Sequence, residues 1–260
     1  MRMRQMGLVA RGVWLEAIRR KEIYVIVAVS CLFILGLSQL RFFGLMDLSK
    51  FYREVALKIM GAATALTVIV LGSRQLPREF ESRTIYPLLA RPIHRITYLF
   101  GKQLGVMAAG AFCLMLFLGL YVAGCLLLGA PIYPVLLMQH VFLQLCMLLI
   151  LTSLCFLLSV RFSLDSAITF GFLYYLASSI LSNLFLMLHE SAQGAARVVI
   201  TAFTWLLPQL ILFDLSEKNV HGDVWGPLPA VAMGQLFLYA LAFTTVYLGI
   251  TLALFRRKPL

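Results

Sequence analysis

The sequence predicts an all-α polytopic membrane protein, and three observations carry that prediction. The 260 residues are 62% hydrophobic and only 13% charged, with a mean hydropathy of +0.93, whereas soluble domains carry about 25% charged residues. The apolar residues fall in long continuous runs, each near the roughly 20 residues that a bilayer core requires. The runs lack the two-residue alternation, in segments of about ten residues, that marks a membrane β-barrel. Helices are then the default, because lipid leaves every backbone polar group to be satisfied within the chain. Residues 1–260 are read as a single transmembrane domain.

The first element is amphipathic. In residues 4–22, Met6, Val9, Ala10, Val13, Ala17 and Ile18 share one helical face, opposite Arg4, Arg11, Glu16 and Arg19. This is the pattern of a helix lying in the headgroup region. Six spans are expected near 23–40, 55–72, 99–128, 135–160, 167–188 and 231–254. The second is the weakest. Lys58 would cost about 2.5–3.5 kcal/mol at a helix centre, close to the whole insertion gain of its apolar neighbours, so Lys58 is expected to snorkel at the edge. Residues 41–54 are expected to form a second interfacial helix anchored by Phe42, Phe43, Phe51 and Tyr52.

Loop charges orient the chain. Of the 22 Lys and Arg residues, Arg41, Lys50, Arg53, Lys58, Arg197 and Lys218 fall on one side, and all the others fall on the other. The richer side is cytoplasmic by the positive-inside rule, which places both termini inside. Residues 195–213 are long enough to be a seventh span, which would expel Arg256, Arg257 and Lys258. They are read instead as a re-entrant or interfacial hairpin broken near Pro208, within an extracytoplasmic loop at 189–230. The net charge of +11 is absorbed by this topology, and no nucleic-acid motif accompanies it. Five cysteines, all inside apolar runs and without a CxxC, read as small buried hydrophobes.

The most informative stretch lies between the second and third spans. Residues 73–98 are charged and punctuated by proline, too polar for lipid and longer than a connector needs. Ser73 is placed to cap a short helix starting near Pro77. Glu79 and Glu81 favour its positive N-terminus, and Pro87 and Pro92 break the helix after them. A short stiff helix of this kind transmits a push, where a flexible linker would absorb it.

The motif Glu79, Glu81, Thr84, Leu88-Leu89, Pro92, Arg95 and Gly101-Lys102 resembles the membrane subunits of type-two ABC transporters. Arg83 stands where that family usually has glycine. The amphipathic N-terminus, the six-span layout and the Phe255–Lys258 ending extend the resemblance over the whole chain. It implies a permease, an exporter by family analogy, in a bacterial or archaeal plasma membrane. It further implies a separate ABC ATPase subunit and a second permease copy or paralogue as partners. The chain has no phosphate-binding loop of its own, so ATP and Mg would be held by the ATPase, and no cofactor, metal or catalytic residue is expected here. Gly101-Lys102 reads as a span boundary. Under this resemblance Arg78, Glu79, Phe80, Glu81, Arg83, Thr84, Leu88, Leu89, Arg91 and Arg95 form the ATPase contact. Trp205, Pro208 and Asp214 belong to a possible outer vestibule.

Two other classes are open to the sequence. An ion-coupled carrier or channel would place ionisable groups at mid-span, and none stands there. An intramembrane enzyme would need a nucleophile facing a base. Ser153, Ser159, Ser178, Ser179 and Ser182 are available, but His140 is the one histidine within a span. Gln139, His140 and Gln144 either line a polar path or hydrogen-bond between helices, and the second role is preferred. Asp165 is expected to pair with Arg161. Asp214, Glu217, His221 and Asp223 are read as a wet loop near an outer gate.

Overall fold

The computed structural model describes residues 2–19, 21–39, 48–77, 94–191 and 207–257. Among these the regular elements are all helical. In chain order they are α1 (Arg2–Arg19), α2 (Lys21–Gln39), α3 (Leu48–Arg74), α4 (Arg95–Leu127), α5 (Pro134–Arg161), α6 (Leu164–Ser191), a 3-10 turn (Leu210–Phe213), α7 (Ser216–Val220) and α8 (Ala230–Arg257). Four of them, α3, α4, α5 and α8, are long and apolar enough to cross a membrane. The helices α2 and α6 cover the other two expected spans.

The long helices run antiparallel in sequence order, so the bundle has two ends. One carries Arg53, Leu127 and Pro134; the other carries Arg74, Arg95, Arg161 and Phe255. The core lies around α3 and α5. In the apolar segment of α5, 72% of residues are buried, against 22% for α8, which puts α5 at the centre and α8 at the rim. Hydroxyls in the core donate to carbonyls of their own helix, as at Thr64, Thr67, Thr152, Ser153 and Ser159. This satisfies them without a partner helix.

Local chemistry sets the ends of the central elements. The helix α4 stops in a Schellman arrangement: Gly129 has φ of 63°, and Ala130 N–H donates to Cys125 O at 2.9 Å. A left-handed residue there favours glycine. Pro134 opens α5 at a position where the missing N–H costs nothing. The helix α1 lies against α4 and is amphipathic as expected at Val13 and Ala17, which are buried, and at Arg4 and Arg11, which are exposed, but Ile18, expected on the apolar face, is 43% exposed.

Three expectations are corrected. Residues 48–54 are not an interfacial helix but the first turns of α3, which is continuous from Leu48. Tyr52 is 1% exposed and stacks on Tyr121 with centroids 6.5 Å apart. Its ring and the neighbouring Arg53 find buried partners, and these hold the helix in the bundle. Residues 41–47 lie outside the described residues. Arg161 and Asp165 form no ion pair among the described residues, whereas Lys58 and Glu54 pair at 2.6 Å. Ser73 sits inside the last turn of α3, fully buried, and caps no helix among the described residues.

The segment at 208–215 has irregular backbone between apolar helices, which is tolerable only where protein satisfies it. Side chains from three helices do so. Tyr174 OH donates to Pro208 O at 2.6 Å, and Tyr239 OH accepts from Gln209 N–H at 3.0 Å. Ser178 Oγ accepts from Leu210 N–H at 2.9 Å, and His140 Nδ1 accepts from Leu215 N–H at 3.2 Å. Residues 210–213 therefore form a pinned 3-10 turn and do not continue a membrane helix. The rest of the suggested 195–213 segment, up to residue 206, lies outside the described residues.

Candidate functional site: braced loop roots and a polar cavity

Two places in the bundle hold polar groups in an arrangement that goes beyond packing, one at each end. The first surrounds the roots of the loop between α3 and α4. Of the expected ATPase-contact residues, Arg78, Glu79, Phe80, Glu81, Arg83, Thr84, Leu88, Leu89 and Arg91 lie outside the described residues. The chain on either side of them is fixed. On the departing side, Lys102 is 5% exposed and its ammonium donates to Gln75 O at 3.2 Å and to Gln75 Oε1 at 2.8 Å. It also lies 5.4 Å from the centre of the Tyr98 ring. On the returning side, Arg95 Nη1 donates to Phe255 O at 2.9 Å, and its guanidinium lies 5.4 Å from the Phe255 ring centre. Thus α3, α4 and the end of α8 are joined by two cations where the loop leaves and re-enters.

The helix α1 completes this end. A Cβ on Gly101 would stand 2.9 Å from Val9 Cβ and 3.1 Å from Met6 O, and one on Gly105 would stand 2.6 Å from Val13 Cβ and 2.9 Å from Ala10 O. The two glycines, four residues apart on one face of α4, form a groove into which the backbone of α1 descends. Gly101 and Lys102 stand in the second turn of a helix that begins at Arg95. They lie within α4, one admitting α1 and the other anchoring Gln75. Sequence reasoning missed this because a Gly-Lys pair after a polar loop looks like an edge. The available signal was the repeat of glycine at 101 and 105.

The second place is a cavity of about 470 Å³ at the opposite end, between α3, α5, α6 and the 208–217 segment. Leu57, Met147 and Leu210 supply apolar wall, and Lys58, Gln144, Tyr175, Asp214, Ser216 and Glu217 supply polar groups. Lys58 is exposed and is paired with Glu54. Asp214 Oδ1 accepts from Ser216 N–H at 2.9 Å and from the Ser216 hydroxyl, an Asx-type turn that fixes the carboxylate at the entrance. Of the expected vestibule residues, Asp214 lines this cavity and Pro208 is buried beside it, held by Tyr174. Trp205 lies outside the described residues.

The polar residues of α5 divide by role. Gln139 clamps the approach to α8, donating to Leu228 O and accepting from Leu228 N–H, both at 2.9 Å. His140 holds Leu215. Both are structural, but each bonds to irregular backbone and not to another helix as expected. Gln144 differs: it is 3% exposed, lines the cavity, and its Oε1 has no hydrogen-bond partner among the described residues. Its amide lies where a Cβ on Gly61 would intrude, 3.2 Å from Nε2. Arg53 was read as an outer-loop charge and is instead 2% exposed, donating to Pro131 O, Asn219 O and Val220 O. Ser153 and Ser159 are bonded to backbone and Ser178 to Leu210. Among the described residues, Ser153 and Ser159 face no base in the way an intramembrane nucleophile requires. The side chains of Ser179 and Ser182 lie outside the described residues.

Comparison with known families places this architecture. Residues 15–260 match the family described as ABC-2 family transporter protein. The chain belongs to that family and is a membrane, or permease, subunit of an ABC-2-type transporter. Comparison with curated proteins returns no match.

Proposed function

We propose that this chain is the export permease of an ATP-driven transporter, with six spans and both termini in the cytoplasm, moved by a separate ABC ATPase that docks on the loop at 78–95. The second half of the transporter would be another copy or a paralogue. The exposed apolar faces of α2 and α8 are available to such a partner and to lipid. The ATP and Mg would belong to the ATPase.

The observation that carries this reading is the bracing of the loop roots. A displacement applied to the loop reaches α3 through Gln75 and Lys102, and α8 through Arg95 and Phe255. In this reading Glu79 and Glu81 meet basic or amide groups of the ATPase, Phe80, Leu88 and Leu89 fill its groove, and Arg95 serves as the hinge. The cavity at the other end is the outer vestibule.

Two experiments test it. An ATPase subunit is expected to co-purify with the chain in mild detergent and to be lost on Glu79→Lys with Glu81→Lys. Retention of the ATPase by that double variant would remove the loop from the docking role. Lys102→Met is expected to act differently. It keeps the loop, so the ATPase still binds, but it frees the Gln75 carbonyl. The loss of two hydrogen bonds to a cation amounts to about 3–5 kcal/mol of bracing. Transport-linked ATP hydrolysis in reconstituted complex should fall at least ten-fold while co-purification persists.

A further inference from the structure

The corner where α1 meets α2 holds an apolar groove on the outside of the bundle. Ala17, Ala109 and Cys113, all buried, form its floor. Ile18, Tyr24, Phe112 and Leu116, each 43–57% exposed, form its rims, so it opens toward lipid along its length. At about 80 Å³ it is too narrow for a compact small molecule, whose sites hold roughly 300–1,000 Å³. Its α4 wall rises about 10 Å from Ala109 to Leu116, which suits a single extended chain. The hydroxyls around it are already matched. Thr67 donates to Ala63 O at 2.8 Å, and Tyr24 donates to Ile18 O at 2.6 Å. The second bond also ties the start of α2 to the last turn of α1 and fixes the shape of the corner. An occupant therefore meets almost entirely apolar surface.

Charge beside the groove is ordered along α1. Arg4, Arg11, Trp14 and Ile18 share one helical face. The two arginines are exposed and have no ion-pair partner among the described residues. The one carboxylate of α1, Glu16, lies off this face. Val9 lies on Gly101 and Val13 on Gly105, so α1 and α4 run in the same direction, and Arg11 stands at the end of the groove nearer the loop roots. The face thus reads as cations first and apolar groove second, which complements an anionic head followed by an apolar tail. We infer that the groove holds one acyl chain of an anionic phospholipid drawn from the leaflet at the loop-root end, with its phosphate at Arg11 and its chain passing Trp14 and Ile18 toward Leu116. The exposure of Ile18 follows, because it is a wall of the lipid site. The site needs no ATPase and stands apart from the permease reading.

The test is native mass spectrometry of the full chain from mild detergent, titrated with dioleoylphosphatidylglycerol or with zwitterionic dioleoylphosphatidylcholine. One phosphatidylglycerol per chain is expected to bind saturably, about ten-fold tighter than phosphatidylcholine, the scale of one charge-assisted contact. Arg11→Gln, at an exposed residue, should abolish that preference. Arg161→Gln, an exposed cation at the same end of the bundle but outside the groove, should keep it. Ile18→Gln, at a rim residue, should weaken both lipids about five-fold through lost apolar contact. Millimolar glycerol 3-phosphate should displace neither lipid, since a headgroup does not fill the groove. Absence of saturable lipid, equal affinity for the two lipids, a preference that survives Arg11→Gln or disappears in Arg161→Gln, unchanged binding in Ile18→Gln, or displacement by glycerol 3-phosphate overturns the inference. A dimeric mass without bound lipid also overturns it and gives the groove to a second copy of the chain.

Discussion

Arg53→Leu is expected to destabilise the protein by about 3 kcal/mol, because it strips a cation from two buried carbonyls and a part-buried one, each buried one worth about 1–3 kcal/mol when left unmatched. The guanidinium donates to Pro131 O at 3.2 Å, Asn219 O at 3.2 Å and Val220 O at 2.7 Å, and it packs over the Tyr133 ring. It thereby joins α3, the α4–α5 turn and the end of α7. Removing a buried charge offsets part of the loss, which sets the figure at the lower end of the sum. Arg53→Lys should recover only a fraction, since an ammonium cannot span three acceptors with a planar fork. The check is thermal unfolding of detergent-purified protein by intrinsic fluorescence. Equal stability of Arg53→Leu and the wild type would show that the carbonyls find other donors.

The second large effect is expected at Gly105. A valine there places its Cβ 2.6 Å from Val13 Cβ and 2.9 Å from Ala10 O. The second obstacle is backbone, which no side-chain rotation relieves, so α1 must leave the surface of α4. Overpacking of this kind costs about 1–3 kcal/mol, and the undocked α1 should become a substrate for trypsin at the exposed Arg4 and Arg11. The internal control is Gly119→Ala on the same helix. A Cβ there meets nothing within 4 Å, and the change should be neutral or stabilising by up to about 1 kcal/mol through helix propensity. Trypsin sensitivity that is the same in Gly105→Val and Gly119→Ala would mean that α1 is not held by the glycine groove.

Much of the architecture was legible in the residues because lipid imposes a simple code. Long apolar runs became α3, α4, α5 and α8, and α1 emerged from an amphipathic pattern that places Val13 and Ala17 inward. The loop-root region was half legible. Arg95 and Lys102 were visible as charges, but their partners, Phe255 and Gln75, are distant in sequence and apolar or neutral, so no pattern pairs them. The start of α3 was misplaced for a related reason. Phe51, Tyr52 and Arg53 have the composition of a headgroup anchor, and it is the stacking of Tyr52 on Tyr121 and the carbonyl partners of Arg53 that turn two of them inward, while Phe51 stays exposed. Gln139, His140 and Gln144 look alike in sequence, yet two grip backbone and one faces a void.

The amino-acid sequence by itself determined that the chain is helical and membrane-embedded, that it carries a polar proline-broken loop between its second and third apolar runs, and that α1 is two-faced. These depend on hydrophobicity and short-range periodicity, which act within one helix or one loop. The tertiary structure decided which polar residues are structural and which remain available. Lys102 and Arg53 are occupied by backbone carbonyls that only packing brings near, while Gln144, Asp214 and Glu217 are left around a cavity. A hydrogen bond requires its partner within about 3 Å, and the distance between residues far apart along the chain is set by how the helices cross.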